Sequence, residues 1–389
     1  MRVIGWTLLA LPPGIFLYAY FAYPVILRLL AMARGGRSRS VTPFQQLPVV
    51  TITLPVYNEE QRLRRKLDEL LQLDYPADRR HILVISDAST DATDQIAREY
   101  ACQGVELLRL PRRSGKSAAE NAAGHSLKGE IVVNSDATVM LPKNALMALV
   151  RAFEDPSVGV ASGRDVSVGT SESEQTSGER SYVGYEMWIR RLETRLGSIV
   201  GASGCFYGIR AAIYNREFPE MLSRDFASAL MARERGYRAV AVDDAICYVP
   251  RASSLQAEFR RKIRTMSRGI ETLWFKRHLL NPWRHGLFAF CLLSHKLSRW
   301  LVYLTLPLGA LGIVLLSFTS PAAVVILALC LVSLGVGSLT LFLPNAPKLP
   351  GVLRLVGFAV ASNLAGVIAW ADVLRREHVA IWEPTRRDG

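Results

Sequence analysis

The chain has 389 residues, half of them apolar, which is enough for one sizeable α/β domain with membrane segments or for two soluble domains. Its formal net charge is +13, but the basic excess lies in 28–39, 260–268 and 375–387, next to apolar stretches, which favours anionic lipid headgroups over nucleic acid. The five cysteines show no C-x-x-C spacing, which argues against disulfides and against a zinc site.

Three uncharged stretches predict four membrane spans. Residues 3–27, the 48 residues of 300–347 and the 17 residues of 355–371 contain no charged side chain. Since a span needs about 20 apolar residues, the longest stretch is predicted to hold two spans that separate at Ser320-Pro321. The predicted count is one span before the soluble region and three after it.

The first span is predicted to be a retained anchor, because its apolar run is long for a signal peptide and no small-residue cleavage site follows it. Arginines follow instead, at 28, 34, 37 and 39, and they place the next region in the cytoplasm. Three later spans would then put the C-terminus outside, although Arg375, Arg376, Arg386 and Arg387 favour the cytoplasm. Either 286–293 forms an additional element or the tail departs from the rule.

Strand and helix signals alternate after the basic linker 34–47. The predicted strands are 49–54, 81–85, 105–110 and 131–133, and the predicted helices are 63–71, 91–102, 115–126 and 143–153. This alternation predicts an α/β fold with a doubly wound parallel sheet that helices cover on both faces. Residues 165–180 are polar without periodicity and are predicted to be a mobile loop, followed by helices over 182–196 and from near Asp225.

Polar residues follow each of these four strands within a few positions. They are Tyr57-Asn58-Glu59, Asp87, Arg113 with Lys116, and Asp136. Open α/β sheets bind ligands at the carboxyl ends of their strands, and Mg²⁺ or Mn²⁺ prefers carboxylate and phosphate oxygens. Acids and a lysine at one edge therefore suit a nucleotide diphosphate. The chain lacks both G-x-G-x-x-G after a strand and G-x-x-x-x-G-K-[ST], which argues against a Rossmann site and a P-loop.

The stretch 256–277 has an apolar face and a basic face. The apolar residues are Phe259, Ile263, Met266, Ile270, Leu273 and Trp274, and the basic ones are Arg260, Arg264 and Arg268. Such a stripe just before a span predicts a helix that lies in the membrane interface. The alternative is an ordinary helix packed on the globular domain.

Six segments between residues 49 and 270 carry a family resemblance. They read TLPVYNEE, VISDASTDATDQI, RRSGKSAAENAA, VNSDATVMLP, GASGCFYGIR and SRDFASALMARERGYR. In this order they resemble the motifs of family 2 glycosyltransferases. With the flanking spans, they look more narrowly like the membrane-embedded branch that includes chitin, hyaluronan and cellulose synthases. The resemblance implies a nucleotide-sugar-binding sheet of the GT-A type plus transmembrane helices.

The resemblance also implies roles for individual residues. Asp225 corresponds to the general base, and Asp136 corresponds to the metal-ligating acid of the D-x-D motif. The implied nucleotide-sugar-binding residues are Glu59 at the nucleotide end, Asp87 at the base, Lys116 near base and diphosphate, and Arg264 against the diphosphate. Gly204 and Cys205 fall in the acceptor-side loop.

Three motifs depart from the family pattern. D-x-D reads Asp136-Ala137-Thr138 and keeps one acid, E-D reads Arg224-Asp225, and Q-x-x-R-W at 261–265 keeps only Arg264. One carboxylate suffices for Mg²⁺, which usually retains waters and binds phosphates. The missing tryptophan stacks under the acceptor sugar in processive synthases, so its absence favours single or few additions. The alternatives are a turn acid at Asp136 and a helix N-cap at Asp225.

The predicted function is inverting transfer of a hexose from a UDP- or GDP-sugar, with Mg²⁺ or Mn²⁺, to a lipid-linked or polysaccharide acceptor. Membrane lipids are predicted partners and nucleic acid is not. The protein is predicted to be integral to the inner membrane with its catalytic domain in the cytoplasm. The predicted segments are an anchor at 1–33, a cytoplasmic transferase domain at 34–255, amphipathic interface helices at 256–298, three spans at 299–375 and a basic tail at 376–389. A polyprenyl-phosphate sugar synthase and a catalytically silent scaffold of a secretion complex are the alternatives.

Overall fold

A computed structural model describes residues 1–35, 43–168, 174–214, 217–250, 255–342 and 351–376. These residues fall into two compact units. The sheet unit contains the described parts of 30–170 and 179–251, and the helical unit contains the described parts of 1–29, 171–178 and 252–378.

The sheet unit is built on seven strands in the spatial order β3-β2-β1-β4-β6-β5-β7. They are β1 (Val50–Val56), β2 (Arg80–Ser86), β3 (Val105–Arg109), β4 (Ile131–Ser135), β5 (Val158–Val168), β6 (Phe206–Arg210) and β7 (Arg238–Pro250). The first four strands pair in parallel, but β6 runs antiparallel to both β4 and β5. The four predicted strands are thus parallel, as predicted, and β6 is an additional antiparallel strand that the sequence analysis did not predict. Its sequence gave no warning, because a short buried strand has the same apolar composition in either direction.

Helices bury both faces of this sheet. In β2, Ile82 and Val84 pack in one core cluster with Leu63 and Leu67, whereas the alternate Leu83 and Ile85 pack in another with Ala119 and Ala123. Successive strand residues point to opposite faces, so both faces are covered. The helices of this unit are Glu60–Leu71, Thr93–Glu99, Lys116–Ala123, Ala145–Arg151, Glu174–Leu196 and Arg224–Glu234, with 3-10 turns at Ala77–Arg79, Ala101–Gln103 and Ala152–Glu154.

The prediction of a mobile loop over 165–180 is wrong at both ends. Residues 165–168 belong to β5, where they pair in parallel with residues 247–250 of β7. A helix begins at Glu174, and 169–173 lie outside the described residues. The polar composition concealed the strand because pairing to β7, which is distant in sequence, supplies its backbone hydrogen bonds.

The helical unit contains the long apolar helices. Its elements are Arg2–Leu17, Tyr18–Ala22 (π), Tyr23–Arg34, Leu255–Phe275, Arg277–Leu280 (3-10), Pro282–His285, Leu287–Leu292, Leu293–Leu297 (π), Ser298–Ser317, Pro321–Phe342 and Gly351–Arg375. Within the described residues, four helical stretches are long and apolar enough to cross a membrane: Arg2–Arg34, Leu287–Ser317, Pro321–Leu339 and Leu355–Arg375. Residues 287–293 belong to the second of these and form no additional span.

The helix Leu255–Phe275 packs on another helix of the same unit. Lys262 Nζ donates a hydrogen bond to Ser362 Oγ at 2.7 Å, and Ile270 and Leu273 are 4% and 3% exposed. Protein rather than lipid therefore covers these two residues of the predicted interface face. Trp274, at the end of the same stripe, remains 69% exposed.

Candidate active site

The loops after β1 and β2 are joined by side-chain hydrogen bonds at the carboxyl edge of the sheet. Asn58 adopts a left-handed conformation at φ 52°, and its Oδ1 accepts a hydrogen bond from Thr90 N at 2.8 Å. Glu59 N donates to Thr93 Oγ1, also at 2.8 Å. Glu59 is buried, and burial raises the pKa of its carboxyl, against the opposing effect of Arg62. The backbone of the predicted nucleotide-end acid is thus held by a hydrogen bond, and its carboxyl is buried.

Asp87 has a structural partner that the sequence interpretation did not include. Its two carboxylate oxygens accept hydrogen bonds from the backbone amides of Ser114 at 2.7 Å and Gly115 at 2.8 Å. Gly115 has φ 90°, a conformation that favours glycine. Asp87 therefore fixes the turn that leads into the helix Lys116–Ala123, which we call the lysine helix. Its contact with a nucleotide base stays a prediction.

Lys116 and Asp136 form an ion pair at this edge. Asp136 comes directly after β4, and its Oδ1 lies 2.6 Å from Lys116 Nζ. Lys116 Nζ also donates to the carbonyl of Gly204 at 3.4 Å, and Asp136 N donates to the carbonyl of Cys205 at 3.2 Å. The predicted phosphate-binding lysine, metal-binding acid and acceptor-side loop are therefore in direct contact.

The charge of Lys116 is maintained by the acids around it. Burial alone would lower the pKa of its amine, but Asp136, Glu120 and Asp225 raise it above the ordinary value. Lys116 therefore carries its positive charge at neutral pH, as binding of a diphosphate requires.

Asp225 lies in the first turn of the helix Arg224–Glu234, which we call the aspartate helix. Its Oδ1 accepts a hydrogen bond from Ser223 Oγ. A Cβ added to Gly204 would lie 2.7 Å from Asp225 Oδ2, so the acceptor-side loop closely approaches the carboxylate of the predicted base. Contacts therefore run from Asp136 through Lys116 and Gly204 to Asp225.

A buried ion pair links the lysine helix to the aspartate helix, and the sequence interpretation missed it. Arg224 Nε lies 3.3 Å from Glu120 Oε2, and the two side chains are 4% and 2% exposed. The Arg224 guanidinium also lies 4.9 Å from the ring centroids of Tyr214 and Phe218. Two signals were available: Glu120 follows Lys116 by one helical turn, and an arginine beside a proposed catalytic acid requires a compensating charge.

The acceptor-side loop is also fixed from β5. Ser203 Oγ donates to the carboxylate of Asp165 at 2.7 Å, and Ser203 N donates to Ser162 Oγ at 2.8 Å. Both partners lie on β5, in part within the segment predicted to be a loop. The strand therefore contributes to the site by holding the turn before Gly204.

Arg264 lies on the helix Leu255–Phe275 of the helical unit. Its role against a diphosphate stays a prediction. The other seven predicted residues, Glu59, Asp87, Lys116, Asp136, Gly204, Cys205 and Asp225, all belong to the sheet unit.

The residues at this edge fit a divalent cation that takes one protein carboxylate. Among the described residues, no group of three or more His, Cys, Asp or Glu side chains is arranged to hold a metal ion. Asp136 is 23% exposed at the end of β4, and because its Oδ1 is paired with Lys116 Nζ at 2.6 Å, Oδ2 is the oxygen that would bind the cation. Mg²⁺ or Mn²⁺ would complete its coordination with phosphate oxygens and water.

Comparisons with known proteins bear on the family and the fold. Residues 51–244 match the model of glycosyl transferase family 2. Beta-monoglucosyldiacylglycerol synthase from Nostoc sp. is 30% identical over 158 residues, which are 39% of this chain and 34% of that protein. An N-acetylglucosaminyltransferase from Mesorhizobium japonicum is 25% identical over 280 residues, 67% of this chain and 61% of that protein. The chain thus spans about a third of the length of the Nostoc protein.

A solved structure resembles the fold over nearly the whole chain. Mannosyltransferase PcManGT from Pyrobaculum calidifontis, in complex with GDP-Man and Mn²⁺, superposes with a TM-score of 0.70 at 22% identity. The match covers 95% of this chain and all of that one. The predicted fold class is confirmed: a GT-A-like mixed α/β sheet accompanied by apolar helices that fit membrane spans.

Proposed function

Because residues 51–244 form a family 2 glycosyltransferase domain, we propose that this enzyme transfers a hexose from a nucleotide-diphosphate sugar to an acceptor at the membrane, with inversion. The observation that carries the proposal is the contact of Lys116 with Asp136 and Gly204, and of Gly204 with Asp225. These contacts bring a cation and a carboxylate together at one edge of the sheet, which supports a diphosphate site next to an acceptor site.

The chemistry follows from these positions. Lys116 donates hydrogen bonds to the diphosphate and offsets the charge that develops as the sugar–phosphate bond breaks. Asp225 accepts the proton of the acceptor hydroxyl while the oxygen of that hydroxyl bonds to the sugar carbon. The sugar carbon becomes oxocarbenium-like in this step. Asp136 would hold the Mg²⁺ or Mn²⁺ ion, which supplies Lewis-acid stabilisation of the leaving diphosphate.

A lipid-linked acceptor is the form of the proposal that we favour. The Nostoc relative is named for a glycolipid product, and four helices here fit membrane spans. The enzyme would lie in the inner membrane with its sheet unit in the cytoplasm, following the arginines after the first span. A polysaccharide hydroxyl is the alternative acceptor within the same chemistry. A polyprenyl phosphate is a second alternative, in which the anionic phosphate oxygen attacks the sugar carbon and Asp225 has no proton to accept. A catalytically silent scaffold is the third, and turnover of any donor would exclude it.

Lys116→Met tests the donor site. The ligand is UDP or GDP, whichever the wild type prefers, in the presence of Mn²⁺. Loss of a charge-assisted contact should weaken its binding at least tenfold, since such contacts contribute about 1.5–3 kcal/mol. Isothermal titration of the purified full-length protein measures the effect. The matched control is Lys143→Met, an exposed lysine of the same unit. Unchanged affinity in a folded Lys116→Met protein would show that the diphosphate binds elsewhere.

A further inference from the structure

The helical unit presents three aromatic side chains outward within a short stretch, residues 274–285, which we call the interfacial segment. Trp274 is 69% exposed, Phe275 is 53% exposed and Trp283 is 94% exposed. Large apolar side chains grouped in this way on a surface indicate a binding partner. The transferase chemistry proposed above uses none of them.

The interfacial segment has a defined conformation. Leu279 in its middle is completely buried. Asn281 caps the short helix Pro282–His285, because its Oδ1 accepts hydrogen bonds from Trp283 N at 2.9 Å and Arg284 N at 3.4 Å, with proline at the first helical position. Trp283 and Arg284 are thus held outward by the backbone that carries them.

The charge of the segment is entirely basic. It contains Lys276, Arg277 and Arg284, and the chain has no acidic residue between Glu271 and Asp372. Two of these cations lie over the exposed rings: the Arg277 guanidinium is 5.4 Å from the Trp274 ring centroid, and Lys276 Nζ is 5.4 Å from that of Phe275. An exposed ring with a cation beside it suits a surface with an apolar interior, which the ring can enter, and an anionic outer layer, which the cation can contact.

The position in the chain agrees with such a surface. The apolar helical stretch Leu287–Ser317 begins two residues after the segment. Tryptophan is enriched where spans meet the headgroup layer, and basic residues beside a span are attracted to anionic lipids. A second copy of this chain would bring the same cations against each other, so like-charge repulsion argues against self-association here.

We propose that the interfacial segment docks on anionic phospholipids. Trp274, Phe275 and Trp283 enter the boundary between headgroups and acyl chains, and Lys276, Arg277 and Arg284 bind lipid phosphates. The surface lies within the predicted interface region 256–298 and shares Trp274 with the predicted apolar face, whereas Ile270 and Leu273 of that face are buried. The proposal is independent of the sugar donor and acceptor.

Tryptophan quenching in lipid nanodiscs tests the docking. Full-length protein is reconstituted in phosphatidylcholine that contains a fixed fraction of phosphatidylglycerol. In one sample the phosphatidylglycerol carries bromine near the headgroup end of its acyl chains, and in the other sample the phosphatidylcholine does. We expect brominated lipid to quench less fluorescence in Trp283→Phe than in wild type. Per mole, brominated phosphatidylglycerol should quench Trp283 at least twice as strongly as brominated phosphatidylcholine, because each nearby cation favours an anionic surface about fivefold.

A matched pair of triple variants isolates the charge. Lys276→Gln/Arg277→Gln/Arg284→Gln should abolish the preference for phosphatidylglycerol, and Arg65→Gln/Arg98→Gln/Arg151→Gln, which removes the same charge from exposed positions of the sheet unit, should retain it. Equal quenching by the two lipids in wild type would overturn the proposal. So would equal quenching of wild type and Trp283→Phe, or Trp283 emission that depends on protein dilution, which would indicate a second copy.

Discussion

Asp225→Asn should reduce sugar transfer about a thousandfold, because a positioned general base typically contributes 10²–10⁴-fold. Asparagine keeps the size of the side chain beside Gly204 and Ser223 but accepts no proton from the acceptor. Donor affinity should change by less than about twofold, since the role assigned to Asp225 lies on the acceptor side. The two quantities are measured by initial transfer rates and by titration of the donor.

The control for this variant is Asp78→Asn, which removes an acid that is 80% exposed. It should leave both quantities unchanged. Transfer by Asp225→Asn at close to the wild-type rate would place the base elsewhere. A large loss of donor affinity would instead make Asp225 part of the donor site.

Arg224→Glu should destabilise the sheet unit by about 3–5 kcal/mol, because it leaves Glu120 buried without its arginine. We expect this loss even though the substitution restores the acid pair of the family motif. The new carboxylate would also face Tyr214 and Phe218, which now contact the guanidinium. For a domain of this size we expect the melting temperature to fall by about 10 °C. Thermal unfolding of the purified full-length protein measures it.

Two further variants show whether charge is the cause. Arg224→Met/Glu120→Leu removes both charges, and it should recover most of the lost stability because well-packed apolar pairs often replace buried ion pairs without cost. Arg191→Glu breaks an ion pair of 3.0 Å with Asp243 whose members are 41% and 43% exposed, and it should cost less than about 1 kcal/mol. A stable and active Arg224→Glu protein would show that the pair does not join the two helices.

The sequence was informative where chemistry is attached to strand ends. Asp136 follows a buried strand, Lys116 begins a helix after a short turn, and the parallel part of the sheet brings such loops to one edge. Both residues were predicted and both lie together at 2.6 Å. The broad class of fold followed in the same way from strands that alternate with helices.

The missed features all depend on partners distant in the chain. Glu120 reads as a surface acid until Arg224, about a hundred residues later, is placed against it. The sequence analysis assigned Asp87 to a nucleotide base and did not include the hydrogen bonds that its carboxylate accepts from the amides of Ser114 and Gly115. The antiparallel β6 and the strand at 165–168 are set by pairing that local composition does not encode.

The most direct test of the account is the stereochemistry of the reaction. Purified full-length protein in nanodiscs is incubated with Mn²⁺, a panel of UDP- and GDP-hexoses and a lipid extract that contains diacylglycerol and polyprenyl phosphate, and proton NMR follows the anomeric signals. We predict that one donor is consumed and that the sugar appears on a lipid with the opposite anomeric configuration. A product that retains the donor configuration, or no turnover of any donor, would contradict an inverting transferase. A sugar found on polyprenyl phosphate rather than on a lipid hydroxyl would contradict the role of Asp225 as its base.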